Sequence, residues 1–403
     1  PRTARMRGMP EPRSYPRAIA VFILCQALTT TCAVLVITTT ALVGRMLAPD
    51  AGLATVPLAV QYVALMGTTR GAAWAMGKWG RRPGFSAGAA GGVVGGALAT
   101  FAILHQAFSL FAVAAALIGA FLAFGMHYRF AAADTVPPGR QSRVISWVMA
   151  GGVLAAVAGP QLANWARDLF APIDFAGVYA VLSGLCGLQL VALQAARLPD
   201  PGVQAARASA APRDGATGRP AGFAPAVICG MVAYGGMNLV MAVTPPAMAD
   251  CGLGFGAAAF VIQWHVFAMY APSFVTGHLI QWFGLQVVLL AGVALMALAA
   301  AINVAGLTLA NFAVGLICLG VGWNLLFVGA TTWLTRLQTA RTTTRLQGLN
   351  DVFVFGAVAA TALSSGWTLD TFGWTAVNFA ILPALAVAAI AILRARPRTE
   401  PGV

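Results

Sequence analysis

Long apolar runs broken by short polar turns fill this chain from about residue 18 to residue 394. A helix needs roughly 20 apolar residues to cross about 30 Å of hydrocarbon. Twelve stretches qualify, at about 18–44, 53–77, 84–104, 109–132, 143–166, 175–195, 223–248, 255–281, 286–306, 309–333, 346–366 and 372–393. The ninth and tenth nearly touch. No stretch alternates apolar and polar positions as a barrel strand does, and hydrocarbon cannot satisfy free backbone groups. The pattern therefore predicts an all-α integral membrane protein.

Composition sharpens this. With 59% hydrophobic and only 9% charged residues, a soluble domain of this size has too little polar surface to cover itself. The formal charge of +13 raises the question of nucleic acid, and the placement of the charges answers it. Arg2, Arg5, Arg7, Arg13 and Arg17 precede the first run, and Lys78, Arg81 and Arg82 follow the second. Further arginines lie at 140 and 143, through the central loop, at 336, 341 and 345, and after the last run, all on one side. The other side has Arg45 and Arg167. The positive-inside rule then predicts a multi-pass protein of the bacterial inner membrane with both termini cytosolic, in contact with lipid and not nucleic acid. The basic start imitates a secretory signal, but no small-residue cleavage site follows, and it is read as a first span.

The chain also echoes itself. Gly80 and Gly284 each close a helix and open another at sites 204 residues apart, and Arg143 and Trp165 recur as Arg345 and Trp367, 202 apart. Residues 197–222, rich in Ala, Pro, Gly and Arg, divide the runs six and six. The expected organisation is a cytosolic tail 1–17, a six-helix bundle 18–196, a linker 197–222, a second bundle 223–394 and a tail 395–403. Two related bundles with a path between them are the usual build of a secondary transporter. Gly84, Gly88, Gly92 and Gly96 recur every fourth residue and predict a smooth helix face for close packing.

Rival chemistries find little support. The six cysteines are scattered without CxxC spacing, so no metal site or disulfide is expected, and nothing points to a cofactor. Gly77-Lys78-Trp79 lacks the Ser or Thr of a phosphate loop, and neither an HExxH motif nor a pair of buried acids is present. The chain is not expected to be an enzyme.

The segment Ala73-Trp74-Ala75-Met76-Gly77-Lys78-Trp79-Gly80-Arg81-Arg82 resembles the G-x-x-x-D-R-x-G-R-R loop of the major facilitator superfamily. Gly80, Arg81 and Arg82 match, and Lys78 keeps a positive charge, while Ala73 and Gly77 depart from it. Gly277 and Gly284 keep the two glycines in the second half, and Gly159-Pro160 resembles the antiporter motif of helix 5. The resemblance spans about 18–394 and implies twelve helices in two six-helix bundles, with helices 1, 4, 7 and 10 lining a central cavity. Tyr128–Asp134 and Asn350–Gly356 are similar to a group of bacterial permeases associated with riboflavin transport.

On those four helices the resemblance points to Gln26, Thr30, His127, Tyr128, Tyr234, Asn238, Trp323 and Asn324 as cavity candidates. Aromatic faces with one or two amides suit a flat organic solute, a flavin or a drug-like compound. For any single Thr or Gln, a hydrogen bond between helices is the favoured reading, and the Trp323–Asn324 and Tyr234–Asn238 sets are the stronger cavity candidates. Gate or coupling candidates are Arg70, Arg129, Asp134, His265 and Asp351, because ionisable groups within spans need a partner or water. Arg70 and Asp351 are expected to pair across the bundles, Arg129 to reach Asp134 or the membrane edge, and His265 either to titrate or to pack neutral. Gly80, Arg81, Arg82, Gly277 and Gly284 are expected to form the conformational loops. The expected function is secondary transport of a small organic solute by a monomer through alternating access, with proton coupling allowed. The alternative is a non-transporting sensor or scaffold on the same fold.

Overall fold

The computed structural model describes residues 14–133, 135–136, 141–195, 222–337 and 343–395. They form α1 (Ser14–Leu47), α2 (Val56–Trp79), α3 (Arg81–Leu104), α4 (Phe108–Gly125), α5 (Tyr128–Ala133), α6 (Gln141–Ala166) and α7 (Ala176–Ala195). The second half contains α8 (Phe223–Met241), α9 (Thr244–Asp250), α10 (Phe255–Tyr270), α11 (Ser273–Phe283), α12 (Leu285–Ala305), α13 (Leu309–Arg336), α14 (Thr343–Phe379) and α15 (Ile381–Ala395).

Several breaks have local causes. Pro245 and Pro246 sit in the first turn of α9, where their missing N–H groups cost nothing, and they restart the seventh run after Ala242. Pro272 separates α10 from α11, and the two bend by 45°. Gly80 and Gly284 adopt φ 94°, ψ 163° and φ 83°, ψ 154°, a region that side chains avoid, and each N–H still bonds back at 3.1 Å, to Met76 and Ile280. The repeat read from sequence is thus a repeat of backbone geometry at these two turns.

Among the described residues nine helical stretches are each long and apolar enough to span, or ten when α10 and α11 count as one. The expected twelve are not matched one for one. Leu349–Ala395 runs as one stretch through the expected eleventh and twelfth spans, with a non-helical Gly373 at φ 77° inside it, and α6 is not among the nine.

The same four pairings occur in both halves. In the first, α1 packs on α6, α2 and α3 on α4, and α3 on α7; in the second, α8 packs on α14, α10 and α12 on α13, and α12 on α15. Between the halves, α2 meets α14 and α6 meets α10. The glycine stripe of α3 lies in the core of the first half: Gly88, Gly92 and Gly96 face Phe124, Cys186 and Ser183 too closely for a side chain.

The two halves are tied at the end opposite the basic loops. The Arg45 guanidinium lies 2.6 Å from Asp250, and the Gly366 N–H donates to Thr55 Oγ1 at 3.1 Å. Gln161 Nε2 donates to Gln263 Oε1 at 2.8 Å, and Phe175 meets Phe255 edge-on at 5.1 Å. Toward the basic face, Gly67, Gly71, Gly77 and Gly356 on α2 and α14 have open space within 4 Å of where a Cβ would sit. The halves are thus closed at the end opposite the basic loops.

Candidate functional site

The apolar seam between the halves contains a cluster of rings. Tyr234 on α8 lies 5.5 Å from Trp323 and 5.4 Å from Phe327, both on α13, and 5.8 Å from Phe355 on α14. Trp323 and Phe327 are one turn apart and stack at 5.0 Å with planes 11° apart. Tyr270, at the end of α10, meets Trp323 edge-on at 6.2 Å. The Trp323 Nε1–H is buried without a hydrogen-bond acceptor.

The first half closes the other side. Tyr62 on α2 is near enough for its hydroxyl to interact electrostatically with those of Tyr270 and Tyr234. A Cβ on Gly152 of α6 would stand 3.9 Å from both Thr30 and the Tyr270 ring, so α1, α6 and α10 converge here. Gln26 Nε2 donates to Thr30 Oγ1 at 3.1 Å, which positions both on this face of α1. Toward the basic face, Arg129 of the first half interacts electrostatically with Asp351 and Tyr270 of the second. Asp351 is exposed, and Asn350 Nδ2 donates to its Oδ1 at 3.3 Å.

The structure brings Tyr234, Trp323, Thr30, Gln26, Arg129 and Asp351 to this seam and places other candidates elsewhere. Tyr128 is fully buried inside the first half, stacked on Phe85 at 4.4 Å, and its hydroxyl accepts from Gln189 at 2.7 Å. Asn238 turns into the second half, its Nδ2 donating to the Val358 carbonyl at 3.2 Å and to Thr361 at 3.3 Å, while its Oδ1 is buried without a hydrogen-bond partner. Asn324 holds the α10–α11 break: its Nδ2 donates to the Met269 carbonyl at 2.7 Å and to Ser273 Oγ at 2.6 Å, and its Oδ1 accepts from Thr276 at 2.6 Å. His265 is fully buried, with Nδ1 2.7 Å from the Leu316 carbonyl and Nε2 without a hydrogen-bond partner. His127 is half-buried, with Nε2 lacking a hydrogen-bond partner, and lies near the Thr69 backbone and close enough to Arg129 and Arg81 to interact with their charges.

Asp134 and the Arg70 side chain lie outside the described residues, so the expected Arg70–Asp351 and Arg129–Asp134 pairs have no described geometry. Among the described residues, Arg129 of the first half acts electrostatically on Asp351 across the halves. Of the loop residues, Arg81 is buried and donates to the Ala131 carbonyl at 2.9 Å, and Arg82 donates to Gln194 Oε1 at 2.9 Å, anchoring the start of α3. Gly277 is exposed with no close neighbour, so nothing there demands glycine.

Tyr62, Tyr270, Phe327 and Phe355 were not singled out by the sequence reading. Phe327 follows Trp323 by four residues and so shares its face, a signal already in the chain. Tyr62, Tyr270 and Phe355 sit on the second, eighth and eleventh runs, outside the four helices that the resemblance named. At the closed end a separate cavity of about 150 Å³ is lined by Arg45, Thr55, Asp250 and Asp370 among others. That is below the roughly 300–1,000 Å³ typical of sites for organic ligands.

No protein-family model matches the chain. It is 36% identical over 390 residues to the riboflavin transporter RfnT of Brucella anthropi, covering 95% of this chain and 96% of that protein. It is 28% identical over 321 residues to the uncharacterized MFS-type transporter YdeG of Bacillus subtilis, covering 75% of this chain and 74% of that one. Its fold matches the crystal structure of a POT family transporter in complex with 5-aminolevulinic acid, with a TM-score of 0.70 at 12% identity over 94% of this chain and 95% of that one. A multi-pass membrane protein of transporter fold, with paired halves and a relative this similar along its whole length, belongs to the major facilitator superfamily.

Proposed function

We propose that this chain is a secondary transporter of a flat, ring-bearing solute of the flavin class. The observation that carries the reading is the cluster of Tyr234, Trp323, Phe327, Phe355 and Tyr270 at the seam between the halves. Such rings offer faces and edges to a planar heterocycle while presenting few competing polar groups. The 36% identical relative named a riboflavin transporter supports the same solute class.

In this reading residues 18–196 and 223–394 are the two moving bundles, residues 197–222 the linker, and the chain works as a monomer in the inner membrane. Both termini and the basic loops face the cytosol, as the placement of Arg and Lys favours. The state described is then open to the cytosol and sealed outside by the Arg45–Asp250, Thr55–Gly366 and Gln161–Gln263 contacts. Alternating access requires those contacts to break as the open end closes over the solute.

The test is uptake of labelled riboflavin into liposomes reconstituted with the purified protein, with and without an imposed proton gradient. Asp351, the carboxylate facing the seam, is the group a proton-coupled cycle would use. Protein-dependent, saturable accumulation supports the reading. Binding without flux would favour a sensor on the same fold, and neither binding nor flux would remove flavins as the solute.

A further inference from the structure

Asp351 precedes Phe355 by four residues, so its carboxylate stands one helical turn, about 5.4 Å along the axis, from a ring of the cluster and on the same face of α14. It is exposed, and Asn350 Nδ2 bonds its Oδ1 at 3.3 Å. From the other half, Arg129 interacts electrostatically with both Asp351 and Tyr270, and Tyr270 itself touches Trp323 edge-on at 6.2 Å. Asp351, one turn from Phe355, and Arg129, which acts on both Asp351 and Tyr270, therefore stand beside the ring cluster on its side toward the basic loops.

A solute whose ring system rests on Tyr234 and Trp323 directs a substituent on that side toward Arg129 and Asp351. A guanidinium only donates and a carboxylate only accepts, whereas a hydroxyl does both. A chain of hydroxyls can thus answer both groups at once, and a bare ring answers neither. We propose that Arg129 and Asp351 form a second subsite that recognises a polyhydroxylated side chain on the solute, so that they determine which ring-bearing compounds are taken. The proposal rests on the flavin reading and deepens it, since riboflavin is a planar ring system carrying a polyol chain.

Riboflavin and lumiflavin test it, because they share the ring system and only riboflavin carries the polyol. Equilibrium binding of each to the purified full-length protein is measured by quenching of flavin fluorescence. Hydrogen bonds to charged groups imply that the native protein prefers riboflavin by about tenfold or more. Asp351→Asn and Asp351→Ala should collapse that preference toward one, and Asp351→Glu should restore part of it. Saturable lumiflavin binding by a variant shows that it is folded, and the preference ratio does not move with a general loss of stability. Equal binding of the two flavins by the native protein, or an unchanged ratio in both Asp351→Asn and Asp351→Ala, overturns the proposal. If the native protein binds neither flavin, the flavin reading falls, and this inference falls with it.

Discussion

Arg45 and Asp250 join the two halves by a 2.6 Å ion pair at the end of the molecule where α1 and α9 meet. Both side chains remain partly exposed, at 38% and 49%, so solvent screens the attraction and the pair contributes roughly 0–1 kcal/mol. It works together with Thr55–Gly366 and Gln161–Gln263.

Asp250→Ala alone should therefore shift the balance between the two end-open states by no more than about fivefold. The distance distribution between spin labels at Leu53→Cys and Leu307→Cys reports it, with the exposed Cys251 replaced by Ser. A wholly inverted population would mean that the pair dominates the seal.

Gly366 should be far less forgiving than Asp250. A Cβ there would lie 2.6 Å from Thr55 Oγ1 and 3.1 Å from the Gly52 carbonyl. Gly366→Ala is expected to prevent close approach of α14 and to widen the same label distance more than Asp250→Ala does. An equal or smaller change would contradict the packing described for this end.

Within the first half, Gly96→Ala should lower the thermal midpoint, because its Cβ would meet the Ser183 backbone nitrogen at 2.8 Å and backbone cannot step aside. Overpacking of this kind costs about 1–3 kcal/mol. Gly91→Ala, five residues earlier on the same helix, has nothing within 4 Å and should leave the midpoint unchanged or higher.

Asn324→Ala removes three hydrogen bonds at the α10–α11 break. Leaving the Met269 carbonyl and the Thr276 hydroxyl without this partner should cost about 1–3 kcal/mol and raise amide exchange near Met269–Thr276. Unchanged exchange there would show that Pro272 alone sets the bend.

Much of this architecture was legible because membrane spans declare themselves by run length. The Gly80 and Gly284 turns were legible because a positive φ leaves a glycine in each repeat. The site was harder to read. Tyr128 and Asn238 lie on helices that line such cavities, but a helix also has faces turned inward to its own bundle, and both side chains point there. Asn324 neighbours Trp323 in sequence yet faces 100° away around the helix, toward α10 and α11. Phe355 and Asp351 share a face that only the packing of α14 against α8 and α2 identifies as part of the seam. Rotation about the helix axis, more than helix identity, was the missing information.

The central claim is that the rings around Tyr234 seat a planar solute. Titration of the purified protein with riboflavin, read by quenching of flavin fluorescence, tests it most directly. Saturable quenching is expected in the native protein, with affinity reduced about tenfold or more in Tyr234→Ala and in Trp323→Ala. Trp264→Ala, on an exposed face of α10 with ring contacts to Phe260 and Phe267 of its own helix, serves as the control. Absence of saturable quenching, or equal affinity in native, Tyr234→Ala and Trp323→Ala proteins, would contradict the account.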